Sequence, residues 1–367
     1  MTESTTTVVD PERQPGLPSQ RRRLFGTAAG MLPKVLGPIA PVLLALLIGA
    51  LVLRISGIDP IAVYMLMAQN AFGTTNGLAG TLTSATPLLF TSLATAIAFR
   101  AGVFSLGAEA GFILGGLAAA WLAVAVHGPA IVVILIAMAG SVVVGALFSL
   151  PAAYLRVRLG VDEVVSTLML NFVATSVAAW IVNAYLLAPG AANSSTQPIP
   201  VSLTKFMPPA SLNVGFLAAL LLIGAYAVFL RRTSVGAELH HVGVNGRFAA
   251  AQGIRVSKVV LWAMLATGAI AGLGGSVHAM GVVGKFVATG FSASYGFTGI
   301  AVALLARRSA LGLIPAAILF GAFANAGTTI QLFDNIPLDI VNVLQGTVMV
   351  FAVASFAITL RRRKKTS

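Results

Sequence analysis

Glu109, Glu163, Thr167, Asn171, His240, His241 and His278 are the side chains whose types and places invite chemistry, and they are few. The 367 residues hold ten Asp and Glu, four His and no Cys. Without cysteine there are no disulfides, thiolate metal sites or Cys nucleophiles. HExxH and GxSxG strings are absent. The nearest approach to a phosphate loop, Gly281–Phe286 (GVVGKF), has Ala279 where the first Gly is needed and Phe after the Lys. His240 and His241 are neighbours in a basic stretch, where a solvated or partner-facing role suits them better than a metal site, which needs convergent ligands. His278 stands near the end of an apolar stretch, from which its ring could snorkel to an interface. These groups assemble no catalytic centre.

The remaining chemistry is that of polar groups inside apolar segments, where an unpaired one is costly. Glu109 lies in Gly107-Ala108-Glu109-Ala110-Gly111, and Gly107, Gly111 and Gly115 form a small-residue ridge that permits close helix packing. It reads either as a solute-pathway or switch carboxylate, or as a group that caps a helix start or pairs with Arg100. Glu163, Thr167 and Asn171 recur at i, i+4 and i+8, which puts them on one side of a helix, with about 12 Å from first to last. Further along, Asn325, Thr328, Thr329 and Gln331, then Asn342 and Gln345, gather at the ends of the last two apolar segments. They could line a vestibule for a polar solute, or hydrogen-bond helix to helix. Amides and hydroxyls without fixed charge suit a neutral hydroxylated solute better than an ion.

The elements that position these groups follow from composition. Hydrophobic residues make up 57% of the chain and charged residues 9%, against about 25% charged in ordinary soluble domains. Spans of about 20 apolar residues cross roughly 30 Å of hydrocarbon. Ten are predicted: 36–53, 78–98, 104–126, 130–154, 163–187, 212–230, 259–280, 290–306, 310–332 and 339–360. The segment 290–306 is the weakest, being short and preceded by a Gly- and Ser-rich stretch. The expected fold is therefore all-α, a polytopic membrane helical bundle. Residues 1–35 are expected to be a polar and basic tail, 36–360 the transmembrane domain and 361–367 a basic tail.

The net charge of +13 would suggest nucleic acid in a soluble chain. Its layout says otherwise. With the N-terminus inside, 20 of the 23 Lys and Arg fall on the inner side, leaving Arg54, Lys205 and Lys285 outside. Both termini are then cytoplasmic and the lipid bilayer is the partner, with no role for nucleic acid. The outer loop 188–211 is rich in Pro, Asn and Ser. The inner loop 231–258 carries five basic residues and a run, Arg247 to Gln252, with the makings of a short helix. An odd number of spans per half would make an internal five-plus-five repeat an inverted one.

Three strings, in this order and topology, carry a family resemblance. Gly102–Gly116 reads GVFSLGAEAGFILGG, Gly160–Asn171 reads GVDEVVSTLMLN, and Gly243–Gly275 reads GVNGRFAAAQGIRVSKVVLWAMLATGAIAGLGG. Together they resemble the permease subunits of ABC importers for nucleosides and simple sugars, relatives of the ribose-type and branched-chain amino-acid permeases. The likeness covers roughly 80–355. Where the family commonly has Asn-Ile-Gly-x-Glu-Gly-Gln, this chain has Ser105, Leu106, Gly107, Ala108, Glu109, Ala110 and Gly111, keeping the Glu and first Gly.

The resemblance implies a transport subunit in a bacterial plasma (inner) membrane rather than an enzyme. It implies an ABC ATP-binding subunit as partner, a second permease subunit, identical or paralogous, and an extracytoplasmic solute-binding protein. No cofactor would be bound by this chain, with ATP and Mg on the partner. Asn245, Ala249, Ala250 and Gly253 match the family's coupling segment, which docks on the ATPase. Glu109, Asn171, Asn325, Asn342 and Gln345 are the candidate translocation-pathway residues, for a nucleoside or related simple sugar. An ion-gradient-driven secondary transporter of a neutral polar solute is the alternative, although such a machine favours several intramembrane charges.

Overall fold

A computed structural model describes residues 42–55, 57–208, 210–306 and 309–334, with five isolated positions beyond. Many of its helices begin where a short polar side chain caps them. Helix α1 (Val42–Ile55) is followed by α2 (Pro60–Phe72), started by the Asp59 side chain and Pro60. Thr74 caps α3 (Thr75–Arg100) and Asp162 caps α6 (Glu163–Ile181). Between them lie α4 (Ala108–Ala125) and α5 (Ala130–Tyr154). Asn213, Thr233 and Asn245 cap α7 (Val214–Arg232), α8 (Ser234–Val244) and α9 (Gly246–Ala251). The series closes with α10 (Val256–His278), α11 (Tyr295–Leu305) and α12 (Leu313–Asp334). Single π-helical turns extend α5, α6 and α10. Among the described residues there are no strands, only isolated bridges at Ser195–Val287 and Lys205–Asn213.

Among the described residues six helices are long and apolar enough to cross a membrane: α3, α4, α5, α6, α7 and α10, three of them counted with their π turns. Nine of the ten predicted spans overlap described helices. The tenth, 339–360, lies almost wholly outside the described residues, as do both terminal tails. Two differences have physical reasons. Helix α2 was not anticipated, because its 13 residues fall short of a span. Helix α11 has only 11 residues, about 16 Å of rise, so the segment predicted as 290–306 is half a crossing that starts inside the bundle.

Small residues set the centre. Helix α10 packs most extensively on α5, α4 and α3. At the α4–α10 contact Gly115 lies against the backbone of Gly272, and Gly111 against Gly268 and Ala271. Gly145 of α5 meets the same Gly268. A side chain at any of these points would strike main chain, so backbones approach as they do in small-xxx-small packing. Ser141 donates to the Gly115 carbonyl at 2.7 Å and Thr267 to the Ala94 carbonyl at 3.0 Å, fastening α5 to α4 and α10 to α3. Helix α4 is buried nearly all round, whereas α5, α6 and α7 leave most of their faces open.

Candidate functional site

The connection from α3 to α4, residues 101–107, is partly buried beside α6, and in an apolar bundle its backbone donors must be paired. Helix α6 pairs them. Glu163 Oε1 accepts from Phe104 N at 3.2 Å and Thr167 Oγ1 from Leu106 N at 3.0 Å. Asn171 Oδ1 accepts from Ala110 N at 3.1 Å, while its Nδ2 donates to the Leu106 carbonyl at 3.0 Å. All three side chains are buried. The i, i+4, i+8 stripe is thus one ladder, facing backbone rather than solvent. At its foot Arg156 Nε sits 3.1 Å from Glu163 Oε2, the one ion pair among the described residues.

Glu109 belongs to the same region and does something different. From the first turn of α4 its Oε2 accepts from Gly296 N, at the start of α11, at 2.6 Å. The carboxylate therefore lies at the N-termini of two helices, where negative charge is favoured. Glu109 caps a helix start, one of its two sequence readings, but the helix is α11, and it makes no ion pair with Arg100.

Beside it stands a cluster that sequence reading missed. The His278 ring lies 5.2 to 5.6 Å from the rings of Tyr295, Phe291 and Phe112. It is buried, and its Nδ1 has no hydrogen-bond partner among the described residues. The expectation that His278 snorkels is corrected: the π turn after α10 and the inward start of α11 close over it. Only the apolar neighbours Phe112, Phe291 and Tyr295 hinted at this, and their spacing carries no periodic signal.

Asn325 of α12 donates to the Gly77 carbonyl at 3.1 Å and reaches Thr81 Oγ1 at 3.4 Å, joining α12 to α3. Thr328 and Thr329 bond back to their own helix. Asn342 and Gln345 lie outside the described residues. The structure thus brings Glu109 and Asn171 together at the start of α4 and leaves Asn325 on a separate helix contact.

The segment 231–258 folds as two short helices. Asn245 caps α9, accepting from Phe248 N at 3.1 Å. Ala249 is buried toward the bundle, and Ala250 is exposed. Gly253, at φ +85°, turns the chain into α10 in open space. On the other flank Gly243 seats on the Arg100 carbonyl and the Gly102 backbone, so the segment abuts the turn that leads into α4. Sequence reading overlooked Val244 and Phe248, two large apolar side chains left exposed here. Among the described residues no three His, Asp or Glu side chains converge as a metal site would require.

Known proteins share this chain's sequence over most of its length. Residues 77–353 match the family described as branched-chain amino acid transport system / permease component. The guanosine ABC transporter permease protein of Bacillus subtilis is 29% identical over 89% of this chain and 95% of its own length. The glucose ABC transporter permease protein of Haloferax volcanii is 30% identical over 87% of each chain. A nucleoside ABC transporter permease protein of Lactococcus lactis is 28% identical over 89% of this chain and 92% of its own. No solved structure matches the chain significantly.

Proposed function

We propose, from the premise that this chain belongs to the branched-chain amino acid transport system / permease component family, that it is the permease subunit of an ATP-driven ABC importer. The solute is a nucleoside or a related simple sugar. Curated relatives that match almost end to end are named for guanosine, nucleosides and glucose, and fixed intramembrane charge is scarce enough to favour a neutral solute. The chain is a multi-pass membrane protein. In this reading it crosses a bacterial plasma membrane ten times, in two inverted halves, with the tails 1–35 and 361–367 and the segment 231–258 inside and 188–211 outside. The 20-to-3 asymmetry of basic residues supports that orientation.

The geometry of the inner segment carries the proposal. It presents Val244, Arg247 and Phe248 outward while Gly243 bears on the α3–α4 turn. A partner ATPase that closed on Phe248 would thereby push the start of α4, which is how a remote nucleotide cycle can bias a bundle between two states. Asn245, Ala249, Ala250 and Gly253 shape this unit. Glu109, Asn171 and Asn325 hold helix ends at the wall of the pathway, with Asn342 and Gln345 completing its set. The ATP-binding subunit, a second permease and a solute-binding protein are the partners, and ATP and Mg belong to the first of these.

Two experiments test this. Vesicles holding the complete complex should accumulate guanosine or a sugar only while the partner hydrolyses ATP, and uptake driven by an ion gradient alone would contradict the proposal. Phe248→Ala should cut uptake by about tenfold or more, the scale of losing one buried aromatic anchor, while insertion and folding persist. Unchanged uptake would remove Phe248 from the docking face.

A further inference from the structure

Where α4 and α6 end beside the segment 188–211, the surface recedes into an open chamber of about 190 Å³ whose lining includes the exposed Trp121, Tyr185 and Gln197 together with the buried Thr196. It shares Trp121, Tyr185 and Leu186 with an apolar cavity of about 500 Å³ between α4, α5 and α6. Three observations make the small chamber more than a gap at a lipid boundary. The segment that supplies its polar wall is pinned to the bundle: Thr196 N donates to the Phe286 carbonyl at 2.9 Å, and Phe286 N to Thr196 Oγ1 at 3.0 Å. Ala288 N donates to the Ser194 carbonyl at 2.8 Å and Ile199 N to the Gly284 carbonyl at 2.8 Å, so Gln197 hangs from a fixed backbone. On the opposite wall the π turn after α6 carries Tyr185, whose ring is met edge-on by Trp180 at 5.5 Å; such turns recur at functional sites.

Two aromatic side chains beside an exposed amide on an anchored backbone suit a flat ring with a hydrogen-bonding edge. We propose that this chamber is a solute-recognition site on the outer face, in which a nucleobase stacks on Trp121 or Tyr185 and its edge bonds the Gln197 amide. The proposal rests on the importer reading above. Base–aromatic stacking tolerates many bases, which fits a subsite that receives solute rather than one that selects it. The larger apolar cavity behind gives the ring room to move on along α4.

The chain has three tryptophans, Trp121, Trp180 and Trp262, so the site can report on itself. In nanodiscs holding the full complex, with Trp262→Phe and Trp180→Phe in place, guanosine should saturably quench the part of the emission that a further Trp121→Phe removes, whereas ribose should not. Gln197→Ala and Tyr185→Leu should each weaken that quench about tenfold, with elution profile and ATP-dependent assembly unchanged. Vesicles that import guanosine with ATP but show no saturable quench would overturn the site and leave the importer intact. Quenching by brominated lipid that guanosine cannot displace would also overturn it, marking a lipid groove. A saturable quench without import of any nucleoside or sugar would leave the site standing and sink the importer.

Discussion

The two halves of α6 are built on opposite principles. Its first half, from Glu163 to Asn171, is tied to the α3–α4 connection and the first turn of α4 by four hydrogen bonds to backbone and is closed by the pair with Arg156. Its second half meets the bundle through Ala174, Ala178 and Val182, with no side-chain hydrogen bond to another helix among the described residues. There the cavity lined by Leu114, Ala118 and Ile181 separates it from α4 and α5. One end is specified by directional bonds in a medium that offers no water to replace them. The other packs on its neighbouring helices by dispersion, which tolerates sliding, and its directional bond goes instead to the segment 188–211, where Ser194 Oγ donates to Asn183 Oδ1 at 2.6 Å. A helix hydrogen-bonded to the bundle's helices at one end only can pivot about its polar ladder, and in the proposed orientation the other end is the outer one.

Removing the ladder should have the largest effect. Asn171→Leu orphans Ala110 N and the Leu106 carbonyl at once, at about 1–3 kcal/mol for each buried group. It should lower the thermal midpoint of the purified protein by several degrees. Uptake per folded molecule should fall with it, because the starts of α4 and α11 meet at the same place through Glu109. An unchanged midpoint would break the distinction between the two halves. Glu163→Gln should cost about 0–1 kcal/mol, since it keeps an acceptor for Phe104 N and loses only a pair whose arginine is half-exposed. Ala118→Leu, which puts methyl groups into the cavity beside the second half, should change stability by no more than about 1 kcal/mol in either direction. Uptake should nevertheless drop if that space is needed for movement, and a stable variant with full uptake would make the cavity incidental.

How far these features can be read in advance depends on what carries the signal. The stripe of Glu163, Thr167 and Asn171 is legible because three polar residues at helical spacing stand out in an apolar segment. Its partners are not, because they are main-chain groups at 104, 106 and 110, and a backbone N–H has no letter of its own. Glu109 is legible as an anomaly, yet the backbone N–H it accepts from lies 187 residues later. The spans emerge from hydropathy, but α2 and the half-length α11 do not, since a 20-residue window averages over short helices. Phe248 looks ordinary in an apolar chain and becomes notable only when the fold leaves it exposed on the inner segment.

The pivot can be tested directly, helped by the lack of native cysteine. Spin labels at Val165 and Trp262 would report the first half of α6, and labels at Ala184 and Leu217 the second half; all four positions are exposed. Measured by pulsed dipolar spectroscopy in nanodiscs, the first pair should give one narrow distance distribution that ATP binding by the partner leaves in place. The second should be broad and should shift when ATP binds. Equal widths at both pairs, or a shift confined to the first, would contradict the pivot.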